Sequence, residues 1–545
     1  IPLRLVGSEM CIRDSYDAVI IGAGFSGIYQ LHSLRDKLKL NTLVIESGKD
    51  LGGTWYWNRY PGARCDSESH TYNFTFSKEI FENWSWPERY SKQDVILEYL
   101  NYVVEKLSLK KDMLFDNKVI KAHFDEKSSL WNIKTDKDKT FSCKYLISAV
   151  GCLSAANIPK INGLSKFKGK WYHTGKWPHT GVDFKNKRVA QIGVGSTGIQ
   201  LAPEIAKSAK KLSIFQRSPN FSIPARNEIV NDKYKKKIKD NYQEIRDLIK
   251  STPTGHAFQF SSQSALDVSN EDRKKIYENG WQKGGLGFRG LFKDITTNLD
   301  ANKTVVNFIK EKVEATMQNK DYAKVVTDFN YPFATRRPTL NTDYYETFNK
   351  DNVELIDISK DLIKEITKTG ISTLNNNYEF DIIVFATGYD AITGALLSID
   401  MVGKNNIKLS ELWKNGPLTY LGLQVPGFPN FFTITGPGSP SVLTNVPMAI
   451  EQHVEFITDC ISHMEKNNLK TIETNDESSL KWRAIIDKAV NETLIPESKS
   501  SWLYGGNIEG KAQVFMPYPS GLPKYKKFCE DIVLKNYEGF NFTNN

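Results

Sequence analysis

The chain carries two copies of a glycine-rich GxGxxG turn. The first copy, Gly22-Ala-Gly24-Phe-Ser-Gly27, follows a short apolar run and precedes a helical pattern, and Gly193-Val-Gly195-Ser-Thr-Gly198 has the same setting. In such a unit the glycines permit a tight turn, close approach of a pyrophosphate, and packing of helix on strand. The positive end of the helix attracts the phosphate charge. One turn alone is weak evidence, but two of them predict two Rossmann-like dinucleotide-binding domains in an α/β fold.

The residue 24 positions after the first glycine of each motif has an opposite charge in the two copies. Glu46 ends the apolar run 42–46, and a carboxylate there accepts the hydroxyls of an unphosphorylated ribose. Arg217 ends the run 212–217, where a guanidinium matches the 2′-phosphate of NADP. The two motifs therefore predict FAD at the first site and NADPH at the second.

The length of the chain and two further apolar runs predict how the domains are arranged. At 545 residues the chain exceeds the roughly 250 to 300 residues that one core supports. The runs 145–151 and 380–388 are typical of strands that close one nucleotide domain and pass the chain to the other. The predicted parts are a non-native or disordered extension (1–15), a discontinuous FAD-binding domain (16–150 and 390–540), an NADP-binding domain (151–227 and 333–389) and a helical insertion (228–332).

Composition excludes several other classes of protein. The net charge of +9 comes from dispersed lysines such as those of 233–239, which favour a solvated helix face over a nucleic-acid site. Six cysteines form no Cys-x-x-Cys pair and eight histidines show no zinc spacing, so we expect neither a metal site nor a disulfide reductase. No apolar run reaches the ~18 to 20 residues of a membrane span, and 1–15 lacks the apolar stretch of a signal peptide. We therefore expect a cytoplasmic protein without membrane partners and, by default, a monomer.

Two longer motifs narrow the enzyme class. Phe167-Lys-Gly169-Lys-Trp-Tyr-His173-Thr-Gly-Lys-Trp177-Pro178 fits the pattern FxGxxxHxxxW(P/D), and 53–66 fits GxWxxxxYPGxxxD at every fixed position. An isolated copy of the first would be interpreted as a linker with a buried aromatic pair. On both motifs the chain resembles the Baeyer–Villiger monooxygenases, which are class B flavoprotein monooxygenases of type I. From Tyr16 to the C-terminus it is most similar to the phenylacetone monooxygenase branch.

This resemblance implies a mechanism. NADPH would reduce FAD, the reduced flavin would take up O2 as a C4a-peroxyflavin, and the peroxide anion would attack a ketone to give an ester or lactone, with sulfoxidation as a side activity. A peroxide anion needs a permanent cation beside it, and Arg337 occupies the family's position for that cation. Asp66 would hold Arg337 and partly compensate its charge. Without the motifs, each residue would be interpreted as part of a structural ion pair.

The resemblance also implies which residues contact the cofactors and the substrate. For FAD the matching positions are Gly22, Gly24, Ser26, Gly27, Glu46, Thr54, Trp55, Asp66, Tyr72, Val119 and Val446. For NADP they are Arg64, Cys65, Gly193, Gly195, Ser196, Thr197, Gly198, Gln200, Arg217, Ser218, Arg336, Arg337 and Trp502. A loop at the edge of the ketone pocket, which favours aryl or medium linear and cyclic ketones, consists of Pro440, Ser441, Val442 and Leu443.

Three residues depart from the family pattern. Arg336 stands where lysine is frequent and Ser218 where threonine is frequent, and both preserve the chemistry. Glu509 stands where proline is common, which bears on the mobility of the segment that follows Trp502.

Two other functions stay open on this evidence. A flavin-dependent N- or S-hydroxylating monooxygenase shares both dinucleotide folds without needing the Asp66/Arg337 pair, and its products are hydroxylamines or sulfoxides. A non-catalytic NADP-binding protein would not consume NADPH and O2 faster when a ketone is added.

Overall fold

The structure is a computed structural model, and it describes residues 14–544. In chain order its strands are β1 (Asp14–Ile21), β2 (Thr42–Ile45), β3 (Met113–Leu114), β4 (Val119–Asp125), β5 (Leu130–Thr135), β6 (Thr140–Ser148), β7 (Lys170–His173), β8 (Arg188–Ile192), β9 (Lys211–Gln216), β10 (Ser222–Pro224), β11 (Thr339–Asn341), β12 (Val353–Asp357), β13 (Ile363–Ile366), β14 (Gly370–Thr373), β15 (Asn377–Glu379), β16 (Ile382–Phe385), β17 (Asp400–Val402), β18 (Phe431–Thr433), β19 (Leu469–Thr474) and β20 (Phe540–Asn544). Its α-helices are α1 (Phe25–His32), α2 (Thr54–Trp57), α3 (Lys78–Asn83), α4 (Gln93–Lys106), α5 (Ser196–Ala206), α6 (Asp232–Asp240), α7 (Tyr242–Ser251), α8 (Asn270–Lys283), α9 (Leu299–Thr316), α10 (Lys320–Val326), α11 (Tyr344–Thr347), α12 (Gly394–Leu397), α13 (Leu409–Leu412), α14 (Val446–Lys466), α15 (Asp476–Asn491) and α16 (Leu522–Leu534).

The first dinucleotide motif follows β1, an inner strand of a mixed sheet. The strand order is β17-β4-β5-β6-β1-β2-β3, and β18 pairs with β6. β1 lies parallel to both β2 and β6, with Ile20 opposite Val44 and Ile147. These three residues are fully buried, as expected for parallel strands that are covered on both faces. The turn that begins at Gly22 therefore stands at the carboxyl end of a central strand.

The second motif leaves a separate sheet in which all strands are parallel. Its order is β12-β9-β8-β16-β7. The chain passes from β8 through the Gly193 turn into α5 and returns as β9, which is the predicted strand-turn-helix-strand unit. The predicted α/β class with two dinucleotide-binding units is confirmed.

Two strand ends differ from the prediction. β1 begins at Asp14, two residues before the predicted start at Tyr16, because Asp14 and Ser15 pair with Phe141 and Ser142 of β6. The other thirteen residues of the predicted extension lie outside the described part of the chain. β6 ends at Ser148 rather than at 151. The chain turns after Ser148 and brings the Ala149 carbonyl close to Gly22.

The helices α6 to α10 lie between β10 and β11 and carry an aromatic core. Asparagine or serine side chains at 231, 269, 298 and 319 accept hydrogen bonds from first-turn N–H groups and so begin four of these helices. Trp281, Phe288 and Phe308 pack together with ring centroids 5.8 to 6.2 Å apart. The lysines of 233–239 lie on α6, which buries no residue, as predicted for a solvated helix face. The domain boundaries themselves stay predictions.

Within residues 14–544, no helix combines the length and the apolar character needed to cross a membrane. The same residues contain no cluster of three or more His, Cys, Asp or Glu side chains that could hold a metal ion.

Candidate active site

A bidentate ion pair joins the two residues predicted to be catalytic. Nε and Nη2 of Arg337 donate to the Asp66 carboxylate at 2.7 and 2.8 Å, and Nη1 donates to the carbonyl of Val442 at 2.7 Å. Asp66 stands in the loop after α2, and Arg337 lies just before β11. The side chains are 24% and 16% exposed, respectively. The guanidinium is thus held in one orientation next to the predicted substrate segment.

The electrostatics keep both partners charged. Burial opposes ionisation of Asp66, but the Arg337 guanidinium outweighs it, so the pKa of Asp66 is below its ordinary value. Burial also opposes the charge on Arg337, and Asp66 outweighs it, so the pKa of Arg337 is raised. The neighbouring Cys65 is buried, and burial raises the pKa of its thiol, which favours a packing role.

The first turn of α1 is open to an anion. The helix begins after Gly24 without a side-chain cap and without an acidic residue in its first turn. A Cβ at Gly27 would lie 1.9 Å from the Gly22 carbonyl oxygen, so only glycine permits this close turn. Ser26 is buried in the same turn. These features fit the pyrophosphate of FAD.

Glu46 folds back toward this turn from the end of β2. Its carboxylate accepts hydrogen bonds from the backbone N–H groups of Ala23 at 2.8 Å and Gly48 at 2.6 Å, and it is 4% exposed. An ionised carboxylate has further lone pairs for ribose hydroxyls. Glu46 therefore lies beside the turn that begins at Gly22, 24 residues earlier in the sequence.

The other predicted FAD contacts fall into two places. Trp55 donates to the Tyr72 hydroxyl at 3.3 Å, and the side-chain amide of Asn445 donates to the carbonyl of Thr71 at 2.6 Å, which brings Val446 at the start of α14 close to Tyr72. Thr54 is exposed at the start of α2. Val119 is buried in the same apolar cluster as Ile21 and Ile45, the last residues of β1 and β2.

The first turn of α5 offers a second anion site. It begins after Gly195 without a side-chain cap or an acidic residue. Gly195 and Ser196 are exposed, and a Cβ at Gly195 would meet nothing within 4 Å. A Cβ at Gly198 would lie 2.2 Å from the Gly193 carbonyl oxygen, so that glycine is required for the turn. Thr197 beside them is half-buried, and these residues fit the pyrophosphate of NADP.

The loop that carries Asp66 packs directly on α5. The Tyr60 hydroxyl donates to Gln200 Oε1 at 2.8 Å, and Gln200 Nε2 donates to the Arg64 carbonyl at 3.1 Å. The Arg64 guanidinium donates to Glu88 and to the carbonyl of Tyr90, each at 3.0 Å. The loop of the first unit is therefore fixed against the NADP helix of the second.

Replacing Gly62 in this loop is expected to loosen that contact. Gly62 has φ +83°, and a Cβ there would lie 2.4 Å from the Gln200 carbonyl oxygen. We expect Gly62→Ala to cost about 1–3 kcal/mol in strain plus the displacement of α5, seen as a lower melting temperature and weaker FAD retention. Gly181→Ala is the control, since Gly181 has φ +73° but an added Cβ meets nothing within 4 Å. Equal losses in both variants would contradict the role of the contact.

Two neighbouring arginines have no carboxylate partner among the described residues: Arg217, directly after β9, and Arg336, shortly before β11. Arg217 is exposed beside Ser218. The Arg336 guanidinium donates to the hydroxyls of Ser498 at 2.8 Å and Ser500 at 2.9 Å, and it stacks over the Tyr331 ring at 3.9 Å. Burial lowers the pKa of Arg336, and the charge of Arg217 lowers it further. Two cations that repel each other fit the 2′-phosphate of NADP.

Trp502 belongs to the segment that binds Arg336. It begins the 3-10 helix Trp502–Tyr504, and its half-buried ring packs against the cluster of Ala391, Ile392 and Met516. Glu509 is exposed a few residues later.

The predicted substrate segment is buried around the ion pair. Pro440, Ser441 and Val442 are buried, Leu443 is half-buried, and Ser441–Leu443 form a 3-10 helix. Ser441 has φ +41°, a conformation that non-glycine residues seldom adopt. The backbone of this segment thus presents the Val442 carbonyl to Arg337.

The histidine fingerprint 167–178 supports the site rather than lining it. β7 contains its His173 and pairs with β16 at the edge of the second sheet. Nδ1 of His173 accepts from the N–H of Gly175 at 3.0 Å, and burial lowers its pKa to about 4, so the ring is neutral. The aromatic ring of Tyr389 packs against His173 and Gly175. The motif therefore braces the segment where the chain leaves β16.

Two residues near the ion pair were not predicted. Nε2 of His256 lies 3.0 Å from the hydroxyl of Ser67, and Arg289 lies over the Phe258 ring at 5.9 Å. Both lie close enough to Asp66 that their positive charge, where present, lowers its pKa. They belong to the helical insertion, where the glycine-rich run 284–290 was the one signal that an irregular segment was present.

Comparisons with known proteins agree with this geometry. The flavin-binding monooxygenase-like family matches residues 16–237. A Baeyer–Villiger monooxygenase from Pseudooceanicola batsensis is 40% identical over 96% of this chain and 95% of its own length. Cyclohexanone 1,2-monooxygenase from Acinetobacter sp. is 38% identical over 98% of this chain and 97% of its own. The chain belongs to the Baeyer–Villiger monooxygenase family.

Solved structures of the family carry both predicted cofactors. OTEMO in complex with FAD and NADP matches with a TM-score of 0.94 at 37% identity, covering 97% of this chain and 99% of that one. Cyclohexanone monooxygenase from Rhodococcus sp. Phi1 bound to NADP+ matches with a TM-score of 0.95 at 36% identity, covering 98% and 100%. This Baeyer–Villiger family member is an NADPH-dependent flavoprotein monooxygenase, with FAD and NADP as its cofactors. Its placement near the phenylacetone monooxygenase branch stays a prediction.

Proposed function

We propose that this enzyme inserts one oxygen atom of O2 next to the carbonyl of a ketone and forms an ester or a lactone. The overall reaction is ketone, O2, NADPH and a proton to ester, water and NADP+. The observation that carries this proposal is the bidentate pair of Arg337 with Asp66, whose loop packs on α5 of the second dinucleotide unit. The relatives described above support it.

The chain supplies binding, orientation and a fixed charge. When bound, FAD accepts a hydride from NADPH and activates O2 for insertion. The α1 turn with Glu46 would hold FAD, and the α5 turn with Arg217 and Arg336 would hold NADP. As a carbonyl is attacked, negative charge develops on its oxygen, and a guanidinium already in place stabilises that charge without reorganisation. Asp66 and Val442 use three N–H groups of Arg337 and leave the others for this task.

The ion pair predicts a dependence of stability on pH. Because the folded-state pKa of Asp66 lies below its ordinary 3.8, the pair stabilises the fold fully above about pH 4. This contribution is lost as the pH falls through the folded-state pKa. The difference in melting temperature between wild type and Asp66→Asn should therefore shrink below about pH 4. Asp267→Asn, at an exposed site, is the control, and a difference independent of pH would contradict the assignment.

Product analysis tests the proposed reaction. Purified enzyme with FAD and NADPH would be given neutral aryl, linear and cyclic ketones, with ester, NADPH and peroxide measured together. We expect ketone-dependent NADPH consumption with ester in matching amount. Consumption of NADPH that yields peroxide alone with every ketone would reject the proposal. The preference for aryl or medium-sized ketones, the cytoplasmic location and the monomeric state stay predictions.

N- or S-oxygenation is the second candidate. A phenazine N-monooxygenase from Lysobacter antibioticus is 38% identical over 97% of this chain and 97% of its own length, so this architecture supports N-oxygenation in a relative. Aromatic amines and sulfides in the same assay decide between the two. N-oxides or sulfoxides without ester would favour the second candidate.

A further inference from the structure

Arg289 is a half-buried cation with no hydrogen-bond acceptor among the described residues. It lies in the 3-10 helix Leu286–Gly290 between α8 and α9. Its Nε and Nη2 atoms are closed to solvent and have no hydrogen-bond partner among the described residues. Buried polar groups are nearly always paired, because leaving one unpaired forfeits its hydration without replacement. An arginine in this state indicates a ligand that supplies the acceptor.

A short series of contacts places Arg289 at the ion pair. Its guanidinium lies 5.9 Å from the centre of the Phe258 ring, and that ring stacks on His256 with centroids 5.5 Å apart. Nε2 of His256 is 3.0 Å from Oγ of Ser67, the residue after Asp66. Since Arg289 also has charge interactions with both Arg337 and Asp66, its guanidinium lies close to the ion pair.

The charges in this space do not balance. Arg289 interacts with Arg337 and with Asp66, but both carboxylate oxygens of Asp66 already accept from Arg337. His256 adds no charge, because burial and the two arginines lower its pKa to about 3. Burial and Arg337 lower the pKa of Arg289 only to about 10, so it stays protonated at neutral pH. Two cations share one anion, and it is unfavourable to close the Nε and Nη2 donors of a charged group to solvent without an acceptor.

The cofactor phosphates already have sites of their own. The turns before α1 and α5 are open to pyrophosphates, and Arg217 with Arg336 fits the 2′-phosphate. Arg289 instead borders an apolar surface, since Gly287 approaches the Phe258 ring and Gly290 approaches Phe260. Its surroundings suit an organic ligand with an apolar chain and one anionic group.

We propose that Arg289 binds a carboxylate on the substrate, so that the preferred substrates are keto acids whose carbonyl lies at Arg337 and whose carbon chain lies along Phe258. This inference rests on the proposed ketone oxidation and specifies its substrate class. The hydrogen bond to a charged group is worth roughly a 10- to 100-fold preference for the acid over a neutral analogue of equal size.

Paired substrates test this inference. Linear keto acids of increasing chain length and their primary amides, which have the same shape without the charge, would be compared by kcat/KM for ester formation at saturating NADPH. We expect wild type to prefer the acid roughly 10- to 100-fold at one or more chain lengths. Arg289→Met should bring the acid-to-amide ratio to about one, and Arg289→Lys should keep part of the preference.

Lys275→Met is the matched control, because it removes one exposed positive charge from the same insertion and should keep the full preference. An acid-to-amide ratio that is the same in wild type and Arg289→Met would overturn the inference. If Arg289 acted on the reacting oxygen, Arg289→Met would lower kcat/KM equally for the acid and the amide. If Arg289 acted on NADP, the variant would raise the KM for NADPH instead. Either result overturns the inference. If Arg289→Met does not retain FAD, the wild-type enzyme is used alone. Equal kcat/KM for acids and amides in wild type would then reject the inference.

Failure of the proposed function looks different in this assay. Wild type that forms no ester from acids, amides or neutral ketones would reject ketone oxidation itself. Ester from neutral ketones without any preference for acids would reject only the role of Arg289.

Discussion

Arg337→Ala is expected to abolish ester formation while the reduction of bound FAD by NADPH stays measurable. Removal of a single preorganised donor to a developing oxyanion lowers kcat by about 100- to 1000-fold, and Arg337 supplies both a donor and a full charge. Its guanidinium is held in one orientation by Asp66 and by the Val442 carbonyl, and alanine supplies neither the donor nor the charge. The measurement is rapid-mixing absorbance of the flavin under anaerobic NADPH, followed by ester yield in air.

A matched variant separates this effect from general loss of an ion pair. Arg188 also donates two hydrogen bonds to a carboxylate, that of Asp381, but it stands at the start of β8, where its side chain is 37% exposed. Arg188→Ala should keep ester formation. Arg337→Lys keeps the charge without the bidentate geometry and should recover part of the rate. Normal ester yield in Arg337→Ala would contradict the assigned role.

Arg217→Ala is expected to reduce the preference for NADPH over NADH by about 10- to 100-fold, because one or two charged hydrogen bonds to the 2′-phosphate are lost. Arg217 is exposed, and burial together with the charge of Arg217 lowers the pKa of the neighbouring Arg336, so an anion between the two arginines would be stabilised. The quantity to measure is the ratio of kcat/KM for the two coenzymes. Arg336→Met should act in the same direction.

Lys211→Ala is the control for Arg217. Lys211 begins the strand that Arg217 follows, and it pairs with Glu354 at 2.7 Å. Its loss removes one positive charge from the other end of the strand and should leave the coenzyme ratio unchanged. An unchanged ratio in Arg217→Ala would show that coenzyme choice is determined elsewhere.

The features that sequence reasoning predicted well are those determined locally. β8 coincides with the predicted strand, and β16 lies within 380–388, because short apolar runs between turn residues are typical of buried parallel strands. The opposite charges at Glu46 and Arg217 follow from spacing within one strand-turn-helix-strand unit. Strand ends were less predictable, since the pairing of Asp14 with Phe141 depends on a neighbour far along the chain.

The pairing of Asp66 with Arg337 could be predicted only from the family resemblance. The two residues are 271 positions apart, and no period or composition relates them. Arg289 and His256 were missed because their positions depend on how the insertion packs. The Gly285 N–H donates to the Pro224 carbonyl at 2.9 Å, and the Asn445 N–H donates to the Thr254 carbonyl at 2.7 Å. These tertiary contacts bring two irregular segments against the Asp66 loop, and neither contact leaves a sequence pattern.

A structure of this enzyme with FAD and NADP bound tests the central claim most directly. We predict that the Arg337 guanidinium, still paired with Asp66, faces the flavin ring where O2 and the ketone meet, with the pyrophosphates on the first turns of α1 and α5. A flavin ring out of reach of Arg337, or a preparation that retains no flavin, would contradict the account.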